Sequence, residues 1–263
     1  METSLSFANV LTWLNDPANW QGPDGVIARI GEQVYYAIIA VVIAVVIAIP
    51  LGLVIGHTGR GVVVVAGMAN ALRAIPTFGL LIYLVVLISP RIHSRGDLPY
   101  LLPTEIVLVL LAIPPILTST YAGVQNVDPE VRDAAKGMGM TGSQVVRKVE
   151  LPNALPLVLS GTRSATLQVI ATATVAAYVT LGGLGRYLVD GLSQLNDPHA
   201  GYPAAVAGAI LVALLAIVAD LLFAFAQRFL VPRGVSGRFR STAKAAAPTS
   251  VSAGPMEVTV GPS

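Results

Sequence analysis

Arg163 and Asp220 are the two ionisable residues that lie well inside long apolar runs of this 263-residue sequence. A lone charge in hydrocarbon is costly, so such residues face a bundle interior and find partners. At a rise of about 1.5 Å per residue, Arg163 lies about 12 Å beyond Leu155 and Asp220 about 12 Å before Arg228. Equal depth predicts an ion pair between two spans, acting as structural glue or in gating. The other reading of Arg163 is a side chain that snorkels to the interface.

Little else has the spacing of reactive chemistry. His57, His93 and His199 fall in separate loops at no metal-ligand spacing and are expected on the surface. No HExxH, GxSxG or Walker A sequence occurs, so the residues for metal-assisted, acyl-transfer or ATP-hydrolysing chemistry are missing. There is no cysteine either, which removes disulfides and thiolate metal sites. No cofactor or metal is expected. Gly182, Gly183 and Gly185 mark either a shaped outer gate or an ordinary helix-breaking turn. The remaining candidate is "DAAKGMGMTGSQVVRKVELP", Asp133 to Pro152, a polar stretch between greasy ones.

Apolar side chains make up 54% of the chain, charged ones 11%, and mean hydropathy is +0.73, which indicates a membrane protein. A formal charge of +2 gives no argument for nucleic acid. Residues 1–25 carry acids and two tryptophans rather than a basic segment and a short apolar run, so no secretory signal is expected.

A span needs about 20 mainly apolar residues. Five segments qualify: Gln33 to Ile55; a stretch within Val62 to Ser89 broken at "RAIP"; Thr104 to Gly123 through Pro114-Pro115; Leu155 to Val179; and Ala204 to Leu230. These predict an all-α polytopic bundle. The small residues of "SGTRSATLQVIATATVAAYV" suit the fourth span to close helix packing.

Of the 16 Lys and Arg, Arg60, Arg73, Arg132, Lys136, Arg147, Lys148, Arg228, Arg233, Arg238, Arg240 and Lys244 share one side of that topology. Arg29, Arg91, Arg95 and Arg186 lie on the other. Positive charge marks the cytoplasm, so the N-terminus is expected outside and the C-terminus in the cytoplasm. Three regions follow: an extracytoplasmic segment 1–32, a transmembrane domain 33–232 with a cytoplasmic loop at 126–152, and a tail 233–263 whose composition predicts disorder. In the first region Phe7, Val10, Leu11 and Leu14 recur at helical spacing, giving either an interfacial helix or one packed on the protein's own outer face.

Within the loop, Asp128 is placed as an N-cap, Pro129 at the first helical position and Glu130 in the first turn. Val131, Ala134, Ala135 and Met138 line one face, and Gly137 or Gly139 can end the helix in a left-handed conformation. Thr141 and Gln144 then form a capping box that starts a second short helix, until Leu151-Pro152 is expected to turn the chain into the fourth span. From pattern alone, this is either a docking element on a glycine hinge or a loop folded against its own bundle.

Here the sequence resembles a known family. Asp133-Ala134-Ala135, three residues, Gly139, nine residues, then Val149-Glu150-Leu151-Pro152 is similar to the EAA loop of permease subunits of binding-protein-dependent ABC importers, with Asp in place of Glu and Val in place of Ile. "GHTGRG", "RAIPTFGLL", "NVDPEVRDAAKGMGMT", "ELPNALPLVLSGTR" and "GGLGRYLVDGL" resemble the glycine betaine, carnitine and choline branch over roughly residues 30 to 232. The departure is Thr180-Leu181, where that branch carries Gly-Ala.

The resemblance implies the type I importer permease fold in a prokaryotic inner or plasma membrane. It implies that Asp133, Ala134, Ala135 and Gly139, with Leu151 and Pro152, couple to a separate ATP-binding subunit. It also implies a second permease subunit, identical or not, and an extracytoplasmic substrate-binding protein that Gly182, Gly183 and Gly185 could contact. Membrane lipids complete the surroundings. The function implied is import of a quaternary-ammonium osmoprotectant without catalysis by this chain. The alternatives are import of another small solute such as an amino acid, an ion-coupled secondary transporter, whose broken helices alone are present, and an intramembrane enzyme, for which no paired catalytic residues occur.

Overall fold

A computed structural model describes residues 7–94, 96–194, 197 and 201–230. Regular structure among them is helical: α1 (Phe7–Asn15), α2 (Val26–Thr58), α3 (Val62–Ala74), α4 (Thr77–Ile88), α5 (Leu98–Gln125), α6 (Pro129–Gly137), α7 (Gly142–Val145), α8 (Leu151–Ala173), α9 (Gly185–Ser193) and α10 (Gly201–Leu230). The expected tail 233–263 and His199 lie outside the described residues.

α2, α5 and α10 are each long and apolar enough to cross a membrane by length and composition. α4 is a shorter apolar helix, separated from α3 by Ile75 and Pro76 as the "RAIP" break predicts. α2 starts seven residues before the expected Gln33, because Arg29 and Glu32 satisfy each other there (3.0 Å) and Arg29 also meets Asp24 (2.5 Å). α8 ends as an α-helix at Ala173, short of the expected Val179, and 174–179 tighten into a 3₁₀ segment.

The core forms where α5 packs against α2 and α8. On α2, Ala40, Ala44 and Ala48 have no exposed surface, and the four-residue spacing continues through Gly52 and Gly56. That stripe brings the two backbones together: a Cβ on Gly52 would lie 2.6 Å from Thr120 Cβ, and one on Gly56 2.6 Å from Val124 Cβ. The α5–α8 crossing is as close, with a Cβ on Gly161 reaching 2.5 Å from Ser119 Cβ. Bare backbone at such crossings is how helices associate where hydrocarbon offers no hydrophobic drive. α5 runs through Pro103, Pro114 and Pro115; near the prolines, the Thr118 hydroxyl donates to the Pro114 carbonyl at 2.8 Å.

α10 packs on α8 and α9, and α1 lies against α10. In α1, Val10 is fully buried and Trp13 meets Tyr187 edge-on at 5.2 Å, while Phe7 and Leu11 are exposed.

Candidate functional site

The 126–152 loop forms the expected start of α6: the Asp128 carboxylate accepts from Glu130 N–H at 3.0 Å, with Pro129 at the first position. Its end is a Schellman motif. Gly139 N–H donates to Lys136 O (2.9 Å) and Met140 N–H to Ala135 O (3.2 Å), while Gly139 sits at φ +83°. Gly139 rather than Gly137 is therefore the left-handed residue. Thr141 N–H then donates to Gln144 Oε1 at 2.8 Å, opening α7.

The expected turn at Leu151-Pro152 is absent. α7 passes through a π-turn at Val146–Glu150 directly into α8, with Leu151 N–H reaching back to Val146 O. Proline lacks an N–H, and a wider turn before it accommodates that loss without breaking the helix. The loop's second half is thus rigidly continuous with α8. Its first half presents an apolar stripe to solvent: Val131 (40% exposed), Ala134 and Met138 (72%), with Asp133 and Gly139 also exposed. Ala135 faces inward at 2% exposure, since it lies at the edge of the arc shared by Val131, Ala134 and Met138.

Beneath this stripe is a cluster that sequence reasoning missed. Glu150 is fully buried. His57 Nδ1, on the last turn of α2, lies 2.9 Å from its Oε2, and Arg132 Nε, on α6, lies 3.1 Å from its Oε1. The Arg132 contact is close enough for strong attraction yet out of hydrogen-bond alignment, and neither of those two atoms has another hydrogen-bond partner. Arg132 also donates from Nη2 to the Val124 carbonyl in the last turn of α5. His57, expected as a surface residue, is instead part-buried at this junction. One signal was present: an acid alone between Val149 and Leu151 at the root of an apolar helix requires a cation.

In the bundle, Arg163 and Asp220 meet in two contacts, Nε to Oδ1 and Nη2 to Oδ2, each 2.5 Å. Both side chains keep a third of their surface exposed. One turn away lies a cavity of about 290 Å³ between α2, α8 and α10, lined by apolar side chains such as Val41, Ile170 and Leu215 with Thr166 at its edge. A small polar solute needs convergent polar groups, and this cavity does not supply them.

At the opposite end of α2, Glu32 and Gln33 hold the glycine loop. Glu32 Oε2 accepts from Gly183 N–H at 2.7 Å, and a Cβ on Gly182 would fall 2.0 Å from that same oxygen. Gln33 is fully buried and donates from Nε2 to Ile170 O at 2.8 Å. Gly183 adopts φ +93°, and a Cβ on Gly185 would collide with Thr174 O at 2.1 Å. These three glycines are thus required by close approach, and Glu32 and Gln33 are partners that spacing alone did not suggest. Thr180 stands just before them at φ +70°, the sole non-glycine with positive φ among the described residues. Tyr187 on α9 donates to Asp24 O at 2.7 Å, and burial pushes its phenol above the usual range.

The family described as "Binding-protein-dependent transport system inner membrane component" matches residues 48–233. The glycine betaine/carnitine/choline transport system permease protein OpuCB of Bacillus subtilis is 31% identical over 212 residues, covering 81% of this chain and 91% of that protein. The choline transport system permease protein OpuBB of the same organism is 33% identical, covering 78% and 88%. The osmoprotectant import permease protein OsmW of Salmonella typhimurium is 36% identical, covering 65% and 75%. Among solved structures, an inward-facing form of the MetNI methionine ABC transporter matches with TM-score 0.66 at 20% identity, covering 79% of this chain and 96% of that one. An amino acid ABC transporter matches with TM-score 0.60 at 16% identity, covering 77% and 92%.

Proposed function

We infer the activity of this chain from one premise: it belongs to the family of binding-protein-dependent transport system inner membrane components. It is a membrane-embedded permease of an ABC importer, with the helical fold of its structural neighbours. Membership of this family replaces the ion-coupled transporter and the intramembrane enzyme as readings.

We propose that its cargo is a quaternary-ammonium osmoprotectant such as glycine betaine, carnitine or choline. Sequence relatives above 30% identity carry those names, whereas the methionine and amino acid transporters, at 20% identity or below, speak to the fold alone. The system is completed by an ATP-binding subunit, a second permease subunit and an external binding protein that delivers the cargo. The bundle crosses the membrane five times with the N-terminus outside, α3 and α4 acting as one broken crossing.

The observation that carries the mechanism is the stripe of Val131, Ala134 and Met138 left uncovered on α6. An apolar face 40% exposed at Val131 and 72% at Met138, on a nine-residue helix capped at both ends, is suited to burial in a groove of another protein. Asp133, Ala134 and Gly139 form the docking face on the ATP-binding subunit, and Ala135 packs beneath it. Leu151 and Pro152 carry the movement on, because the π-turn joins α7 to α8 without a flexible joint. ATP-driven closure of the partner subunits then moves α8 with the docking helix. At the outer end, Gly182, Gly183 and Gly185 shape the loop that meets the binding protein, and Arg163–Asp220 fixes α10 to α8.

The test is a tagged chain extracted in mild detergent, with labelled glycine betaine uptake measured in the intact cell. The reading expects an ATP-binding subunit to co-purify and uptake to stop on ATP depletion. Uptake that survives ATP depletion while the ion gradient is intact, with no ATP-binding subunit retained, overturns it.

A further inference from the structure

Glu150 stands where four helix ends meet. It belongs to the π-turn that leads into α8, its Oε2 lies 2.9 Å from His57 on the last turn of α2, and its Oε1 lies 3.1 Å from Arg132 on α6. Arg132 in turn donates to Val124 O on the last turn of α5. A guanidinium at a helix C-terminus is favoured by the carbonyls that end it. The carboxylate is 1% exposed, so water does not screen its pairs and none of its partners can leave without exposing a buried charge to apolar surroundings. α2 has few other contacts with the loop, and α2 and α5 are the pair packed most closely in the core. His57 also faces the loop's second helix: its Nε2 would lie 3.5 Å from a Cβ on Gly142.

We propose that Glu150 is a positioning residue for transport, the joint that makes the cytoplasmic end of α2 move as one body with the docking helix α6. This rests on the reading of the chain as an ATP-coupled permease. Movement of α6 would otherwise reach the bundle only through α5 and α8, the helices to which the loop is covalently joined at its two ends. The Arg132–Glu150–His57 bridge adds α2, and Arg132 ties α6 to the last turn of α5 a second time, so the helices of the core are driven together. The charge matters as well as the contact, since an uncharged amide at position 150 would keep acceptor capacity yet lose the attraction that draws Arg132 and His57 to one point.

Because the chain has no cysteine, labels can be placed singly. Spin labels at Thr58 and Glu130, both exposed, report the distance between the end of α2 and α6 in the assembled transporter. The expected result is a narrow distribution that stays the same with and without ATP, although each label moves relative to the outer end of the bundle. Glu150→Gln should broaden it and remove most of the stimulation of ATP hydrolysis by cargo-loaded binding protein, with the ATP-binding subunit still bound. His57→Ala, which leaves Arg132 on Glu150 and so tests the joint where loss of Glu150 unfolds the loop, should do the same to a lesser extent. A wild-type distance that shifts by several ångströms on ATP binding, or both variants retaining wild-type stimulation, overturns the proposal. If the unsubstituted chain binds no ATP-binding subunit, the failure lies with the permease reading itself.

Discussion

Arg163 clasps Asp220 across the α8–α10 contact through two parallel contacts of 2.5 Å, an arrangement in which neither charge is left unpaired within the bundle. The pair holds a helix that otherwise meets α8 through small and aliphatic side chains. Arg163→Ala or Asp220→Ala alone strands the other charge in an apolar setting. Each is expected to lower the melting temperature of the extracted protein by several degrees and to reduce its yield. The exchange Arg163→Asp with Asp220→Arg should recover much of both. A purely gating role would instead leave stability unchanged and alter only uptake.

Gly139 tests the docking loop by conformation alone, since a Cβ there meets nothing within 4 Å. Its φ of +83° is strained for any side chain with a Cβ, by about 1–2 kcal/mol, and more for a branched one. Gly139→Val should cut transport and stimulated ATP hydrolysis severely while membrane insertion stays normal. Gly139→Asn, which tolerates the left-handed region, should fall between wild type and Val. Equal activity in all three would remove Gly139 from the coupling element.

The capping signals, the polar interruption and the Arg163–Asp220 pair were legible in the sequence because each is local or fixed by depth along a helix. Asp128, Pro129 and Gly139 announce a helix start and stop within a dozen residues. Glu150 was not legible, because its partners are 93 and 18 positions upstream and only the packing of α2 and α6 brings His57 and Arg132 to it. The π-turn at 146–150 was hidden for a different reason. Leu151-Pro152 has the composition of a turn, and only the continuity of α7 with α8 resolves which way the chain accommodates the proline.

At the end of α2 far from His57, Thr180 and Gly182 make opposite predictions. Thr180 is exposed and holds φ +70°, so Thr180→Gly relieves about 1–2 kcal/mol of strain against roughly 0.5–1 kcal/mol of added chain entropy. A rise of about 2 °C in melting temperature follows, with the loop shape retained. Gly182→Ala drives a methyl to 2.0 Å from the Glu32 carboxylate and must break its hydrogen bond to Gly183 N–H. Loss of uptake with the ATP-binding subunit still attached is expected. Glu32→Ala in the same background should relieve the collision and recover part of the yield.

Helix packing is tested at Gly161, whose neighbours include Ser119 Cβ and the Pro115 carbonyl at 2.5 and 2.8 Å from an added Cβ. Overpacking a tight crossing costs about 1–3 kcal/mol, and more where the obstacle is backbone. Gly161→Leu should leave little folded protein after extraction, whereas Gly67→Leu, at a position with nothing within 4 Å, should be tolerated. Thermal melting of the two side by side reads the difference.

The most direct measurement of the central claim is cross-linking from α6 in the native assembly. A single cysteine in place of Met138, which is 72% exposed on the uncovered stripe, would be joined by a short bifunctional reagent to the ATP-binding subunit. The expected result is an efficient cross-link from position 138 and none from a cysteine in place of Phe7 on α1, itself 59% exposed. Cross-linking equal at the two positions, or absent from α6 while the subunits still co-purify, would contradict the assignment of this loop as the point where ATP hydrolysis is coupled to transport.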